Sequence, residues 1–272
     1  MVNNKYKVPF LKGIFLFLYP IRISTMNIKQ FLDSTYLKTA QQASISENET
    51  IEINKKSIQE AIDYNFKLIM IRPEIVSMAK KMISDANSKV NIGTVIDFPL
   101  GQNTIDYKLK EAQKAIEDGA DDLDFVVNYE AYKEGKTDLV KEQVLQCTAL
   151  GLQNNKNVKW IIEVAALNDS QIIGLCVLIK NIIISNFKES QYDNVFVKSS
   201  TGFYKTQNNL PNGATIHTIK IMLENSFPLP VKAAGGVRNY EEAVEMIKLG
   251  VKRIGTSSAK AIVEGLDSKN GY

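Results

Sequence analysis

Short runs of β-branched and aliphatic residues alternate with amphipathic stretches from residue 30 to the end of the chain. Short apolar runs predict strands buried on both faces, and a period near 3.6 predicts helices that cover them. Gly119 and Gly250 follow two amphipathic stretches, where glycine commonly ends a helix. The pattern predicts strands over Phe31–Leu37, Lys67–Ile71, Val90–Phe98, Asp122–Val127, Val158–Val164, Asn194–Ser199, Pro230–Ala234 and Arg253–Thr256. The intervening helices are predicted over Lys55–Tyr64, Glu74–Ala86, Thr104–Asp118, Thr137–Leu150, Asp169–Ile184, Ala214–Asn225, Tyr240–Leu249 and Ala259–Leu266.

Eight strand–helix units follow one another without interruption. Strict alternation predicts a parallel sheet covered by helices. Eight units within about 250 residues favour closure into a barrel over an open doubly wound sheet. No Gly-, Ser- or Pro-rich linker divides the chain. We therefore predict an α/β protein with a single-domain (β/α)8 TIM barrel over residues 26–266, followed by a flexible polar tail over residues 267–272.

The first 25 residues differ from the barrel pattern. Basic residues precede the apolar run 13–19, which resembles the start of a signal peptide, but no small-residue cleavage site follows. The run is also shorter than the roughly 20 residues that a membrane-spanning helix needs. Three interpretations stay open for residues 1–25: an upstream start codon with Met26 as the functional start, an extension packed on the barrel, or a targeting or anchoring segment.

Composition narrows the class of protein further. Hydrophobic residues make up 44% and charged residues 23% of the chain, which excludes disordered and collagen-like classes. A net charge of +3 is too balanced to indicate a nucleic-acid or membrane partner. Two cysteines, Cys147 and Cys176, cannot form a disulfide framework, and one histidine, His217, excludes multi-histidine zinc sites. We expect a cytoplasmic protein with packing roles for the cysteines and a surface helix position for His217.

Lysines occupy two of the predicted apolar strands. Lys198 and Lys232 lie in the sixth and seventh strands, and Asp124 lies in the fourth. Two ammonium groups about 5 Å apart at an effective dielectric constant of about 20 repel by roughly 3 kcal/mol, which lowers a lysine pKa in addition to burial. A lysine with a lowered pKa supplies the neutral amine that forms a Schiff base with a carbonyl group. The alternatives are a surface lysine at a strand end or a simple ion pair with Asp124, and the residues alone do not identify the nucleophile.

Small residues follow the last three strands, at positions 199–202, 235–236 and 255–258. Glycine lets backbone N–H groups approach an anion closely, serine adds hydroxyl donors, and barrel loops after strands 7 and 8 commonly bind phosphate. Ordinary turns and helix caps have a similar composition. Because three such loops are adjacent in the predicted barrel, we predict a phosphate site.

Several segments together resemble a known family. In chain order they read LDST (32–35), GTVIDFPLG (93–101), GADDLD (119–124), WIIE (160–163), VKSSTG (197–202), GAT (213–215), VKAAGGVR (231–238) and RIGTS (253–257). This set resembles the deoxyribose-phosphate aldolase family over nearly the whole chain after Met26. The resemblance implies a class I, metal-independent aldolase that reversibly cleaves 2-deoxy-D-ribose 5-phosphate to D-glyceraldehyde 3-phosphate and acetaldehyde.

The resemblance also implies roles for individual residues. Lys198 corresponds to the Schiff-base lysine, and Lys232 to a second lysine that perturbs it and joins proton transfer. Asp124 corresponds to an acid/base partner acting through water, and Tyr272 to the C-terminal tyrosine that some members use in proton transfer. The resemblance implies no cofactor and no metal. It implies a small-molecule phosphosugar as the partner, neither nucleic acid nor a membrane, and a homodimer among the allowed assemblies. The residues that map to the phosphate side are Gly202, Gly235, Gly236, Gly255, Ser257 and Ser258.

The chain departs from the family pattern at several positions. Ser34 stands where histidine is common, Ser199 replaces a threonine, Asp97 stands where glycine or asparagine is usual, and Met70 stands where many members carry cysteine. Glu163 is a candidate catalytic residue, although we favour an indirect role as a partner of one of the lysines. Two other functions stay open: a lysine-dependent barrel lyase for a different phosphosugar, and a non-catalytic phosphosugar-binding protein. The retained lysine pair disfavours the second, because a binding protein needs no reactive amine.

Overall fold

Eight parallel strands close into a barrel, as the alternation of strands and helices predicts. The computed structural model describes residues 27–207 and 210–266. Each strand pairs in parallel with the next along the chain, and the eighth pairs with the first, so the sheet has no free edge. The strands are β1 (Leu32–Thr35), β2 (Leu68–Ile71), β3 (Asn91–Ile96), β4 (Asp122–Val126), β5 (Asn157–Ile161), β6 (Val195–Lys198), β7 (Val231–Ala234) and β8 (Arg253–Thr256).

Helices follow every strand and pack on the outside of the barrel. Among the described residues they are α1 (Ala40–Ala43), α2 (Glu47–Tyr64), α3 (Val76–Asp85), α4 (Ile105–Asp118), α5 (Tyr129–Lys133), α6 (Thr137–Gln153), α7 (Asp169–Asn186), α8 (Ile216–Ser226), α9 (Tyr240–Leu249) and α10 (Ala259–Glu264). The short helices α1 and α5 were not predicted, because each lies within a connection whose sequence carries no extended period.

The largest boundary error concerns α2, which begins at Glu47 and not at the predicted Lys55. Ser46 and Glu49 form a capping box: the Glu49 amide donates to the Ser46 hydroxyl at 3.2 Å, and the Ser46 amide donates to the Glu49 carboxylate at 2.9 Å. The first turns of α2 are polar, so the apolar period starts later than the helix. The predicted first strand was also too long, because Phe31 belongs to a 3-10 turn.

Alternation along the strands separates two kinds of interior. Leu123, Phe125 and Trp160 belong to the main core between the sheet and the helices, where the Phe125 and Trp160 rings stack with centroids 5.1 Å apart. The Trp160 indole N–H donates to the Thr148 hydroxyl of α6 at 3.0 Å. Residues one position away along each strand face the inside of the barrel. The apolar core between the sheet and the helices therefore stabilises the strands, and polar side chains can occupy the inside of the barrel without disrupting that core.

The two cysteines are buried and the histidine is exposed. Cys147 and Cys176 are buried free thiols, and His217 is exposed on α8, with Nε2 2.7 Å from an Asp169 carboxylate oxygen. These positions fit the packing and surface roles expected for them. Across residues 27–207 and 210–266, no helix has the length and apolar character needed to cross a bilayer. The segments 1–25 and 267–272, including Tyr272, lie outside the described residues.

Candidate active site

The predicted lysines and aspartate meet inside the barrel. Lys198 ends β6 and is the direct register partner of Lys232 on β7. Asp124 on β4 is the register partner of Lys159 on β5. All four side chains are buried, with at most 3% of a residue exposed. Neighbouring parallel strands thus bring three lysines and one carboxylate to the same level of the barrel.

The Asp124 carboxylate is shared by these three lysines. Its Oδ2 atom accepts hydrogen bonds from Lys198 Nζ at 2.8 Å and from Lys232 Nζ at 3.0 Å. Its Oδ1 atom accepts a hydrogen bond from Lys159 Nζ at 2.8 Å. Of the alternatives left open for these lysines, a surface position is wrong for both, because both are buried. The ion pair with Asp124 does form, and it lies beside a second lysine.

The cluster continues toward the opposite end of the barrel. Lys159 Nζ also donates to Asp122 Oδ2 at 2.6 Å. Lys232 Nζ lies 2.6 Å from Asp33 Oδ2, and Arg253 Nε donates to Asp33 Oδ1 at 2.7 Å. Every one of these carboxylates is buried and has a cationic partner, which is the condition under which charges are tolerated in an interior.

Burial is the main reason why the Lys198 amine is activated. Desolvation lowers the pKa of Lys198 to about 8, Asp124 opposes this shift, and the ammonium of Lys232 adds to it. Both burial and repulsion by the second lysine contribute, as the sequence predicts, and burial is the larger cause. Asp124 itself has a pKa well below its ordinary value, since the attraction of three lysines outweighs its desolvation.

A cleft opens above Lys198 at the C-terminal ends of β1 and β6–β8. It encloses about 550 Å³ of space, part of which is open to solvent. All six residues predicted for the phosphate side line this one cleft together with Lys198: Gly202, Gly235, Gly236, Gly255, Ser257 and Ser258. Barrel closure therefore places three separate loops and the lysine around a common space.

At two of these glycines a side chain would collide with neighbouring atoms, whether or not a ligand is bound. A Cβ atom on Gly255 would approach Lys232 Cε at 3.1 Å, so the missing side chain leaves room for the lysine. Gly235 has a φ of +78°, and a Cβ there would approach the Gly213 Cα atom at 3.0 Å. Both glycines therefore shape the cleft wall.

Three site features were not anticipated as such. Lys159, which has no predicted role, lies in an apolar predicted strand as the other two lysines do. Asp33 and Arg253 lie in the family segments 32–35 and 253–257, and the resemblance implies no role for either residue. Glu163 contacts Thr201, which donates its backbone N–H to Glu163 Oε2 at 3.1 Å and its hydroxyl to the same atom. Its direct partner is therefore a threonine, whereas Lys198 acts on it only through its positive charge, which opposes the rise that burial causes in the pKa of the Glu163 carboxyl.

Asp97, whose charge was unexplained, holds the connection after β3. It lies 2.9 Å from the buried Lys108 Nζ and accepts from the Asn103 side-chain amide at 2.7 Å. Lys108 also donates to the carbonyl oxygens of Gly101 at 3.0 Å and Val126 at 2.6 Å. The Asp97–Lys108 pair thus fastens this connection to the end of β4.

The other three residues that depart from the family pattern, Ser34, Ser199 and Met70, differ in their position relative to the cleft. Ser34 is buried between two β1 residues whose side chains face the barrel interior, so alternation turns it away from the cleft. Ser199 binds β7, because its hydroxyl donates to the Ala234 carbonyl at 2.8 Å and accepts from the Ala234 amide at 2.9 Å. Met70 is fully buried in the apolar cluster that also contains the cleft residue Leu37.

A closed parallel barrel with a buried, activated lysine beneath a cleft at its C-terminal face defines a TIM-barrel enzyme with amine chemistry available to it. The chain belongs to the DeoC/LacD family of aldolases, whose model matches residues 33–266. A deoxyribose-phosphate aldolase of Thermococcus gammatolerans is 39% identical over 241 residues, covering 88% of this chain and 96% of the relative. The deoxyribose-phosphate aldolase of Lactococcus lactis subsp. lactis is 38% identical over 252 residues, covering 91% of this chain and all of the relative. The tetrameric deoxyribose phosphate aldolase structure from Aeropyrum pernix superposes with a TM-score of 0.70 at 28% identity, covering 87% of this chain and 89% of that chain.

The lowered pKa of Lys198 predicts a characteristic pH dependence. Below a pKa of about 8 the ammonium form predominates, and each further pH unit lowers the neutral amine about tenfold. Trapping of acetaldehyde on Lys198 by cyanoborohydride should therefore rise from pH 6 to about pH 8 and then level off. Peptide mapping at each pH follows Lys198 alone. A rise that continues beyond pH 9 would show an ordinary lysine.

Met70 predicts resistance to unsaturated aldehydes. A thioether does not add to an activated double bond as a thiolate does, and Met70 contributes to the apolar cluster that reaches the cleft. We expect Met70→Cys to be inactivated by crotonaldehyde faster than the wild-type protein, with a mass adduct on the new cysteine. Equal inactivation rates for the two proteins would contradict this prediction.

Proposed function

We propose that the protein reversibly cleaves 2-deoxy-D-ribose 5-phosphate to D-glyceraldehyde 3-phosphate and acetaldehyde, with Lys198 as the Schiff-base nucleophile. The observation that carries the proposal is the placement of the Lys198 amine. It is buried under the cleft, bonded to Asp124, and its pKa is lowered to about 8. The names of the relatives and the family supply the substrate. The activity belongs to the degradation of deoxyribose phosphates.

The first half of the proposed reaction forms and uses an iminium ion. The neutral Lys198 amine attacks the C1 aldehyde of the open-chain sugar, and the carbonyl oxygen leaves as water. The iminium accepts the electron pair of the C2–C3 bond while the C3 hydroxyl loses its proton. D-Glyceraldehyde 3-phosphate departs, and the two remaining carbons stay on Lys198 as an enamine.

The second half returns the enzyme to its starting state. A proton added to C2 converts the enamine to the iminium of acetaldehyde, and water then releases acetaldehyde and the amine. We assign proton transfer to Asp124, acting through water, and to Lys232, whose ammonium lies 3.0 Å from the same carboxylate oxygen. Tyr272 is assigned to protonation of C2, and replacing it by phenylalanine tests that role.

The phosphate is proposed to lie against the loops after β6, β7 and β8. The three loops supply glycine backbone, the Ser257 and Ser258 side chains, and the wall around Gly255. Gly202, Gly235 and Gly236 all have φ between +78° and +89°, a conformation that glycine adopts without strain. Such a backbone can turn toward an anion where a residue with a side chain would be strained.

We also propose a cytoplasmic location and assembly as a homodimer. The two buried free cysteines support a reducing compartment. Light scattering on the purified chain tests the assembly, and a tetramer like that of the Aeropyrum pernix protein is the result that would replace the dimer.

Borohydride trapping with deoxyribose 5-phosphate is the experiment that tests the function. Reduction of the reaction mixture should leave an ethyl group on Lys198, because the retro-aldol step removes the phosphorylated fragment before trapping. Intact mass gives the size of the adduct and peptide mapping its position. An adduct on Lys232 would reverse the two lysine roles. Folded protein without any adduct would support the phosphosugar-binding alternative.

A further inference from the structure

The chain after β5 runs beside the loop that follows Lys198. The Ile162 amide donates to the Lys198 carbonyl at 3.0 Å, and the Val164 amide donates to the Ser199 carbonyl at 2.9 Å. These contacts extend the pairing of β5 and β6 beyond the strands themselves. Glu163, which lies between the two donors, is therefore held directly beside the segment 198–202.

Glu163 adopts a backbone conformation that its side chain alone would disfavour. Its φ is +55° and its ψ is +69°, in the left-handed region where residues other than glycine are strained. The side chain is almost completely buried, with 1% of the residue exposed. One carboxylate oxygen, Oε2, accepts both the backbone N–H and the hydroxyl of Thr201. The strained turn is thus coupled to a buried contact with the loop.

Thr201 connects the Glu163 carboxylate to the wall of the cleft. Its hydroxyl oxygen accepts a hydrogen bond from the Phe203 amide at 3.0 Å, and Ser200, Thr201 and Gly202 all line the cleft. On the other side of the loop, Ser199 is bonded to Ala234 of β7. Hydrogen bonds to β7 on one side and to the Glu163 carboxylate on the other therefore hold the segment between Lys198 and Phe203 in place.

We propose that Glu163 is a positioning residue for substrate binding, which acts through Thr201 on the cleft wall formed by residues 200–202. The Lys198 amine is oriented separately, by Asp124. Loss of the Glu163 carboxylate should therefore weaken binding of the phosphosugar and leave the amine reactive. This inference rests on the proposed aldolase function, since it concerns the same substrate.

Three substitutions distinguish the effect of the Glu163 carboxylate from the effect of its left-handed backbone turn. Glu163→Gly removes the carboxylate and suits the left-handed turn. Glu163→Gln keeps an oxygen that can accept both Thr201 donors, and Thr201→Val removes one of the two donors. Asn155→Gly is the matched control, because Asn155 has a φ of +56° and precedes β5 at the other end of the barrel.

The expected result is a separation of KM from kcat. Glu163→Gly should raise KM for deoxyribose 5-phosphate about tenfold with kcat changed less than about threefold, as expected when a binding contact is lost. Glu163→Gln should stay within about threefold of wild type in both constants, and Asn155→Gly should match wild type. Thr201→Val should raise KM less than Glu163→Gly and add little to it in the double variant.

A second measurement follows the amine without the phosphosugar. Cyanoborohydride trapping of acetaldehyde on Lys198 should proceed at the wild-type rate in Glu163→Gly. An unchanged KM in that variant would overturn the positioning role, and so would a trapping rate that falls together with turnover. Wild-type protein that shows no turnover of deoxyribose 5-phosphate would instead refute the proposed function on which the inference rests.

Discussion

Lys198→Met is expected to reduce kcat/KM for deoxyribose 5-phosphate by more than about 10⁴-fold, because the covalent route requires an amine at this position. Methionine has a similar length and lacks the charge, so it fits the buried space between β5 and β7. Lys232 cannot readily replace the lost amine, since its Nζ atom is held 2.6 Å from Asp33 and 3.0 Å from Asp124. Steady-state kinetics and peptide mapping after borohydride reduction measure the loss.

Lys198→Arg is the control for this variant. It retains a cation beside Asp124 but offers no nucleophilic amine. Both variants should unfold cooperatively and show no adduct on residue 198. Residual cleavage above about one hundredth of wild type, accompanied by an adduct on Lys232, would assign the nucleophile to Lys232.

Asp124→Asn is expected to affect both stability and catalysis. Removing one partner of a buried ion pair costs about 3–5 kcal/mol, and here three ammonium groups lose the same carboxylate. The pKa of Lys198 should fall further, because Asp124 is the group that raises it. Loss of the proton-transfer group should lower kcat by about 10²–10⁴-fold. Urea unfolding and the pH profile of acetaldehyde trapping measure these effects separately.

Asp122→Asn is the matched control for Asp124→Asn. Asp122 is equally buried and bonds to Lys159, but it makes no contact with Lys198 among the described residues. We expect a comparable loss of stability with a much smaller loss of kcat. Equal effects of both substitutions on kcat would mean that Asp124 serves only to hold the charge cluster together.

The sequence allowed the barrel and its central lysines to be predicted for a physical reason. A lysine in an apolar strand is costly without a partner, so Lys198 and Lys232 were visible as exceptions to the strand pattern. The alternation of strands and helices then required them to share one interior. Lys159 is a third lysine in an apolar strand, so the same physical reason predicts its place in this interior.

Other parts of the site depend on information that a linear pattern does not contain. Asp33 pairs with Lys232 and Arg253, and Arg253 lies 3.5 Å from Asp122, only because barrel closure pairs β8 with both β1 and β7. Glu163 faces Thr201 because of a left-handed turn, which propensity disfavours for glutamate. The start of α2 was missed because a capping box, and not an apolar period, begins that helix.

The shared Asp124 carboxylate gives the barrel interior a particular charge balance. Within residues 27–207 and 210–266, three buried carboxylates and four buried basic side chains form one connected cluster: Asp33, Asp122 and Asp124 with Lys159, Lys198, Lys232 and Arg253. With every basic group protonated, the cluster carries one excess positive charge. Release of the Lys198 proton makes the cluster electroneutral, so the cluster has no net charge when the Lys198 amine is reactive. Formation of an iminium at Lys198 restores the single positive charge beside the same Asp124 oxygen. The resting ammonium therefore acts as an electrostatic stand-in for the cationic intermediate, and the interior needs no rearrangement of charge to hold it.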